Sequence, residues 1–190
     1  MRIPSQEHYS TRCTMSHRPP FRTGEPIFFR CSHCGNVTVV CPAPKGTWEI
    51  PVLRCCDTEL KPLQICRDPE VIRTHGLDFV VFGGFEHNAI RITVDGGLHP
   101  MDEGHRIEWV YLKTYQGGQL KLLPPGIRAV VHFSLADEDA YVYCDRAVCR
   151  MGREHCQFAC KRGMTVYAYC SKHGLMARTL TEKRRDMDDG

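Results

Sequence analysis

Residues 98–112 read LHPMDEGHRIEWVYL, and the rest of the chain is best understood from this stretch. His99 and His105 flank Pro100, Met101 and Gly104, a composition that makes the segment a loop rather than a helix. At Ile107 it turns into a strand, with Ile107, Trp109 and Tyr111 alternating against Arg106 and Glu108. A loop that carries two imidazoles straight into a stiff strand can fix metal ligands, although two loop histidines alone are more often ordinary surface residues. Residues 169–174, YCSKHG, change that balance. They place Cys170 and His173 at C-x-x-H spacing at another strand end, offering a thiolate and a third imidazole.

Composition narrows the choices. A length of 190 residues allows one or two domains with a real core. The formal net charge of +3 is small and dispersed, and no nucleic-acid-binding signature accompanies it. No apolar run reaches the length of a membrane span. The opening residues, MRIPSQEHYSTR, lack the apolar core of a signal peptide, so a cytoplasmic location is expected. Twelve cysteines and ten histidines in a reducing compartment point to metal binding more than to disulfides.

Residues 1–25 are rich in Arg, Ser, Thr and Pro without periodicity and read as a flexible arm, with His8, Cys13 and His17 as bystanders. Residues 26–66 form a small cysteine unit. A strand over 26–30 leads to the turn CSHCG, a returning strand covers 37–40, and LRCC follows after a loop. A C-x-x-C knuckle holds two sulfurs on one side of a tight turn, with Gly35 giving the backbone room to bend. Cys31, Cys34, Cys55 and Cys56 then make a four-sulfur site suited to iron or zinc, acting as the staple that a unit of this size needs. Adjacent Cys55 and Cys56 are unusual there, because neighbouring side chains diverge and must be forced onto one ion. Cys41 and Cys66 fall outside the pattern. From 67 to 178, short alternating segments with Gly/Pro punctuation (77–82, 90–94, 119–123, 128–134) predict a β-sandwich with Greek-key links. The tail 179–190 is charged and expected to fray.

Together these motifs resemble the desulfoferrodoxin/superoxide reductase family. FRCSHCGNVTVV and LRCCDTELKPL are similar to its desulforedoxin-type domain, and HPMDEGHRIEWVYL and YCSKHGLM to its catalytic domain, over roughly residues 27–178. The resemblance implies an all-β chain: a cysteine-rich domain followed by an immunoglobulin-like sandwich of seven strands. It also implies a second iron held by four histidines and one cysteine, here His99, His105, His173, the axial Cys170 and one further imidazole. His75 and His87 are the candidates for the last. His75 is preferred for its distance from the cysteine pair and for the strand that follows it directly. The implied reaction is reduction of superoxide to hydrogen peroxide, with a rubredoxin-like protein re-reducing the iron and the chain acting as a homodimer. The alternatives are a non-catalytic iron protein for electron transfer or redox sensing, and a zinc-stapled binding module.

Two departures stand out. Where the family usually carries Glu-Lys before its first histidine, this chain has Arg73 and Thr74. Arg73 keeps a positive charge but does not readily give up a proton, so the site would be open or capped by water, with protons from solvent. Arg73 and Lys172, with Arg106, are the cations expected to guide the anion. The second departure is an insertion over 140–163 carrying Cys144, Cys149, Cys156 and Cys160 at C-x4-C-x6-C-x3-C, which begins like a strand at Ala140. An iron–sulfur or zinc site, disulfides, and free thiols all remain open for it.

Overall fold

The computed structural model describes residues 20–82, 89–140 and 163–180. In chain order, β1 (Ile27–Arg30) and β2 (Val37–Val40) form one hairpin, and β3 (Leu53–Cys55) and β4 (Thr58–Leu60) a second. A six-residue helix α1 (Pro69–Thr74) follows, then β5 (Leu77–Phe82), β6 (Ala89–Val94), β7 (Ile107–Lys113), β8 (Gly118–Leu122), β9 (Val130–Ser134), the short helix α2 (Asp137–Ala140), β10 (Thr165–Cys170) and β11 (Gly174–Thr179). The seven later strands make the expected sandwich. One sheet has the order β5-β6-β9 and the other β11-β10-β7-β8, all antiparallel. The β7–β10 pairing of strands distant in sequence gives the Greek-key link.

Period-2 patterning accounts for the inner core. Ile90, Ile92 and Val94 of β6 and Val131 and Phe133 of β9 face Val110 and Leu112 of β7 and Val166 and Ala168 of β10. The opposite face of the second sheet is not exposed. There Trp109, Tyr111, Tyr167 and Leu175 bury themselves against Phe28 of β1. The sequence alternation groups Ile107, Trp109 and Tyr111 on one side of β7, but Ile107 joins the inner core, while Trp109, fully buried, and Tyr111, nearly so, lie on the other side, which the cysteine unit covers. The molecule therefore has three layers: sheet, sheet, and the β1–β2 hairpin. Burying Phe28 alone contributes about 1.5–3 kcal/mol to that contact. At its edge Arg30 grips Glu108 with two hydrogen bonds, of 2.6 and 2.8 Å.

Two sequence expectations need correction. The flexible arm does not extend through residues 20–25, which dock on the sandwich. Phe21 packs on Tyr115 with ring centroids 5.0 Å apart, and Glu25 takes hydrogen bonds from Lys113 and Tyr167. A buried lysine needs such a partner, and one turned up outside the expected domain. Ala140 is not the start of a strand but the last residue of α2, whose preceding acidic residues favour a helical turn. Cys144, Cys149, Cys156 and Cys160 lie outside the described residues, as do His87, His8, Cys13 and His17.

Candidate metal centre

One end of the sandwich collects the ligand candidates. The start of β5 pairs with the end of β6, and the start of β7 with the end of β10. His75, His99, His105, Cys170 and His173 all sit at these strand ends. His75 closes α1, which Asp68 caps by accepting the Glu70 N–H at 2.9 Å, with Pro69 at the first helical position. His99 follows a tight turn after β6. His105 immediately precedes β7, where Asp102 Oδ1 accepts the N–H groups of Gly104 and His105. Cys170 ends β10 on the core side. A register shift between Tyr169 and Cys170 sets Cys170 opposite Ile107. His173 lies in the turn to β11, which Gly174 completes with φ +83°.

The donor atoms follow from the hydrogen bonds. His75 Nδ1 lies 2.9 Å from the Val71 carbonyl, and His99 Nδ1 2.6 Å from the Pro100 carbonyl. A carbonyl only accepts, so both Nδ1 atoms carry the proton and both Nε2 atoms present a lone pair. The Thr74 hydroxyl also touches His75 Nδ1, at 3.0 Å. His99 Nε2 and His105 Nε2 are buried and have no hydrogen-bond partner among the described residues. His173 points Nδ1 inward, 3.0 Å from His75 Nε2 and 3.6 Å from Cys170 Sγ. For metal–nitrogen bonds of about 2.1 Å, neighbouring nitrogens at right angles stand about 3.0 Å apart. Donor atoms of His75, His105, Cys170 and His173 all fall within 4.8 Å of one another. His99 is not in that quartet. Its ring instead adjoins those of His75 and His105, at 4.6 and 4.7 Å, while His173 adjoins the same two at 4.6 and 4.8 Å. The four imidazoles thus form a closed ring.

The electrostatics suit a cation. Burial lowers the pKa of His99 to about 4, and burial also lowers His75 and His105. All three are therefore neutral and ready to ligate at pH 7. Burial pushes the Cys170 thiol up, opposed by backbone N–H groups of Lys172 and His173 directed at its sulfur. A bound cation would favour the thiolate. Buried, partnerless imidazole nitrogens beside a buried thiol fit a soft-to-borderline metal such as iron or zinc.

The second cluster lies in the cysteine unit. Sγ atoms of Cys31, Cys34, Cys55 and Cys56 are all within 4.8 Å of one another. Cys34 and Cys55 are 3.5 Å apart and Cys55 and Cys56 3.9 Å. A tetrahedron with metal–sulfur bonds of about 2.3 Å has edges of about 3.8 Å. The adjacent cysteines converge because Cys56 and Asp57 adopt φ +48° and +59°, forming the two-residue turn of the β3–β4 hairpin. Backbone N–H groups of Cys34 and His33 pull the Cys31 thiol down to about 6. Cys41 instead meets the Tyr111 hydroxyl at 3.5 Å, and Cys66 packs at the margin of the inner core.

The expected cations differ in their surroundings. Arg73 is held by Glu70 at 2.5 and 3.2 Å, both side chains largely exposed. Arg106 binds the Glu103 carbonyl and lies 3.8 Å from Glu108. Lys172 has no ion-pair partner among the described residues, and its charge is felt at His105. Sequence reasoning missed Ser171. Its Oγ accepts the Arg106 N–H at 3.1 Å and its N–H donates to the Arg106 carbonyl at 2.9 Å, joining the His105 loop to the Cys170–His173 turn. A serine inside a C-x-x-H spacing carries no distinguishing signal in sequence.

The family model for desulfoferrodoxins matches residues 83–179, just over half the chain. The chain belongs to the desulfoferrodoxin family. The match contains His99, His105, Cys170 and His173 and begins after His75. Desulfoferrodoxin of Nitratidesulfovibrio vulgaris is 28% identical over 128 residues, covering 67% of this chain and 86% of that protein. A desulfoferrodoxin homolog of Archaeoglobus fulgidus is 28% identical over 119 residues, 62% of this chain and 88% of the homolog. Among solved structures, the superoxide reductase from Treponema pallidum aligns with a TM-score of 0.56 at 23% identity, covering 81% of this chain and 97% of that one. The likeness in fold thus takes in more of the desulfoferrodoxin chain than the family match does.

Proposed function

We propose that this desulfoferrodoxin is a superoxide reductase, converting superoxide to hydrogen peroxide at a single iron held by His75, His99, His105, His173 and Cys170. The observation that carries the reading is the ring of four imidazoles with one buried thiol beside it, at the end of a rigid sandwich. Iron bound there would supply the one electron that the reaction needs. The protein's part is to keep three imidazoles neutral by burial, to fix two tautomers through the Val71 and Pro100 carbonyls, and to direct backbone N–H groups at Cys170 Sγ. Lys172 raises the local positive potential for an arriving anion. Solvent supplies the two protons, since neither Arg73 nor Thr74 is a ready donor.

The Cys31–Cys34–Cys55–Cys56 site would hold iron or zinc and staple the first layer to the sandwich. A rubredoxin-like donor would return the electron, and a cytoplasmic homodimer is the form in which we expect the chain to work. No helix among the described residues is long and apolar enough to cross a membrane. One observation favours a second reading, an iron protein that transfers or senses electrons with little turnover: Arg73 is neutralised by Glu70 rather than free. Pulse radiolysis of the reduced, iron-loaded protein separates the two. Second-order oxidation by superoxide near the diffusion limit supports the reductase. A rate no faster than that of free ferrous ion rules it out.

A further inference from the structure

The metal centre backs onto a square of aromatic rings. Alternation puts Trp109 and Tyr111 of β7 and Tyr167 and Tyr169 of β10 on one face, and the register pairs Tyr169 with Trp109 and Tyr167 with Tyr111. Tyr169 directly precedes Cys170, and its ring stacks on Trp109 at 5.5 Å and 8°. Phe28 lies across the square, 5.1 Å from Trp109, 5.2 Å from Tyr111 and 4.9 Å from Tyr167. Ring contacts therefore run unbroken from beside the thiol to Tyr167.

Three details grade this path for a positive hole. The Arg30 guanidinium lies 5.3 Å from the Tyr169 ring centroid and disfavours positive charge on that ring. Trp109 Nε1 is buried with no acceptor among the described residues, so there an oxidised indole meets no group to take its proton. Tyr167 does have one: its hydroxyl donates to Glu25 Oε2 at 2.5 Å. Burial raises the Glu25 pKa, but hydrogen bonds from Lys113 and Tyr167 and the Lys113 charge outweigh it, leaving the carboxyl below its usual value and ionised.

We propose that the square is a one-electron relay and that Tyr167 is its terminal donor, protecting the centre when peroxide rather than superoxide is reduced there. This rests on the reading of the centre as a peroxide-producing iron site. Hydrogen peroxide needs two electrons and two protons to become two waters. Iron held by these residues would supply one electron. Tyr167 gives the second through Phe28, Trp109 and Tyr169 while its phenolic proton passes to Glu25, and solvent supplies the two protons. With iron bound, the products would be two waters, ferric iron, a neutral tyrosyl radical and a protonated Glu25. Without the second electron, the one-electron reduction would release hydroxyl radical among the ligands.

The test mixes reduced, iron-loaded protein with hydrogen peroxide and follows freeze-quenched samples by electron paramagnetic resonance, with ferric absorption recorded in parallel. A tyrosyl signal is expected, lost in Tyr167→Phe, in Trp109→Phe and in Glu25→Gln, the last leaving every core ring in place. Ferric absorption without a tyrosyl signal overturns the relay alone, as does a signal unchanged in any of the three variants. Failure of the ferric absorption to appear overturns the iron reading with it.

Discussion

His75 had to be chosen over His87 from spacing and from the strand that follows, and the two histidines make different predictions. Replacing His75 with Ala should strip iron from the His/Cys centre while leaving the four-cysteine site loaded, and His87→Ala should leave both metal contents unchanged. Metal analysis of the two purified variants decides. Ser171 is the residue that the primary structure did not reveal, because its worth lies in reaching a backbone 65 positions away. Loss of that hydrogen bond in Ser171→Ala costs about 1 kcal/mol, roughly fivefold in iron affinity at the His/Cys centre. Transfer of iron to a chelator should speed up accordingly, with Ser171→Thr restoring the rate. The adjacent pair Cys55–Cys56 was legible as a ligand pair but not as a geometry. The positive φ at Cys56 and Asp57 is uncommon for residues with a side chain. Convergence of the four sulfurs on one ion would offset that local cost.

Among the elements, strands were the readable part, since alternation and Gly/Pro punctuation mark them directly. Helix α1 could have been found, as Asp68, Pro69 and Glu70 are a cap, a first-turn proline and a first-turn acid in the right order. What alternation cannot show is the covering of a strand's second face. Trp109 and Tyr111 are large enough to need a cover, but only the fold reveals that Phe28 provides it. The same packing fixes Gly118 at the start of β8, where any side chain would run into the Tyr111 phenol. Gly118→Ala should destabilise the metal-loaded protein by about 1–3 kcal/mol, the range for overpacking a filled core. Chemical unfolding followed by tryptophan fluorescence measures it.

For the molecule as a whole, charge and pH act over longer distances. Arg73 is compensated by Glu70, whereas Lys172 has no ion-pair partner among the described residues, so Lys172→Ala should slow the proposed superoxide reaction more at low salt than at high salt. Arg73→Ala should change the salt dependence less, as stopped-flow or pulse-radiolysis series across ionic strength will show. Metal-free protein should weaken as the pH falls from about 6.5 towards 4. An unfolded histidine takes its proton near 6.5 and folded His99 only near 4, so across that window the unfolded chain binds more protons. Urea midpoints measured on metal-free protein between those limits should fall with pH, and a flat profile would contradict the burial of these rings. A β-sandwich could be anticipated from the alternating segments, and its seven strands from the family resemblance, although no pattern marked β11. The placement of residues 20–25 could not, because Glu25 finds Lys113 and Tyr167 only once the sheets have formed.

The hairpin that lies over β7 and β10 has a practical consequence for anyone wishing to simplify this protein. Cutting the chain near residue 67 to isolate the sandwich with its histidine and cysteine cluster would strip a wall of Trp109, Tyr111, Tyr167 and Leu175 bare to water. Such a fragment would be sticky before it was inactive. A soluble short form would have to repaint that wall with polar side chains or borrow another lid.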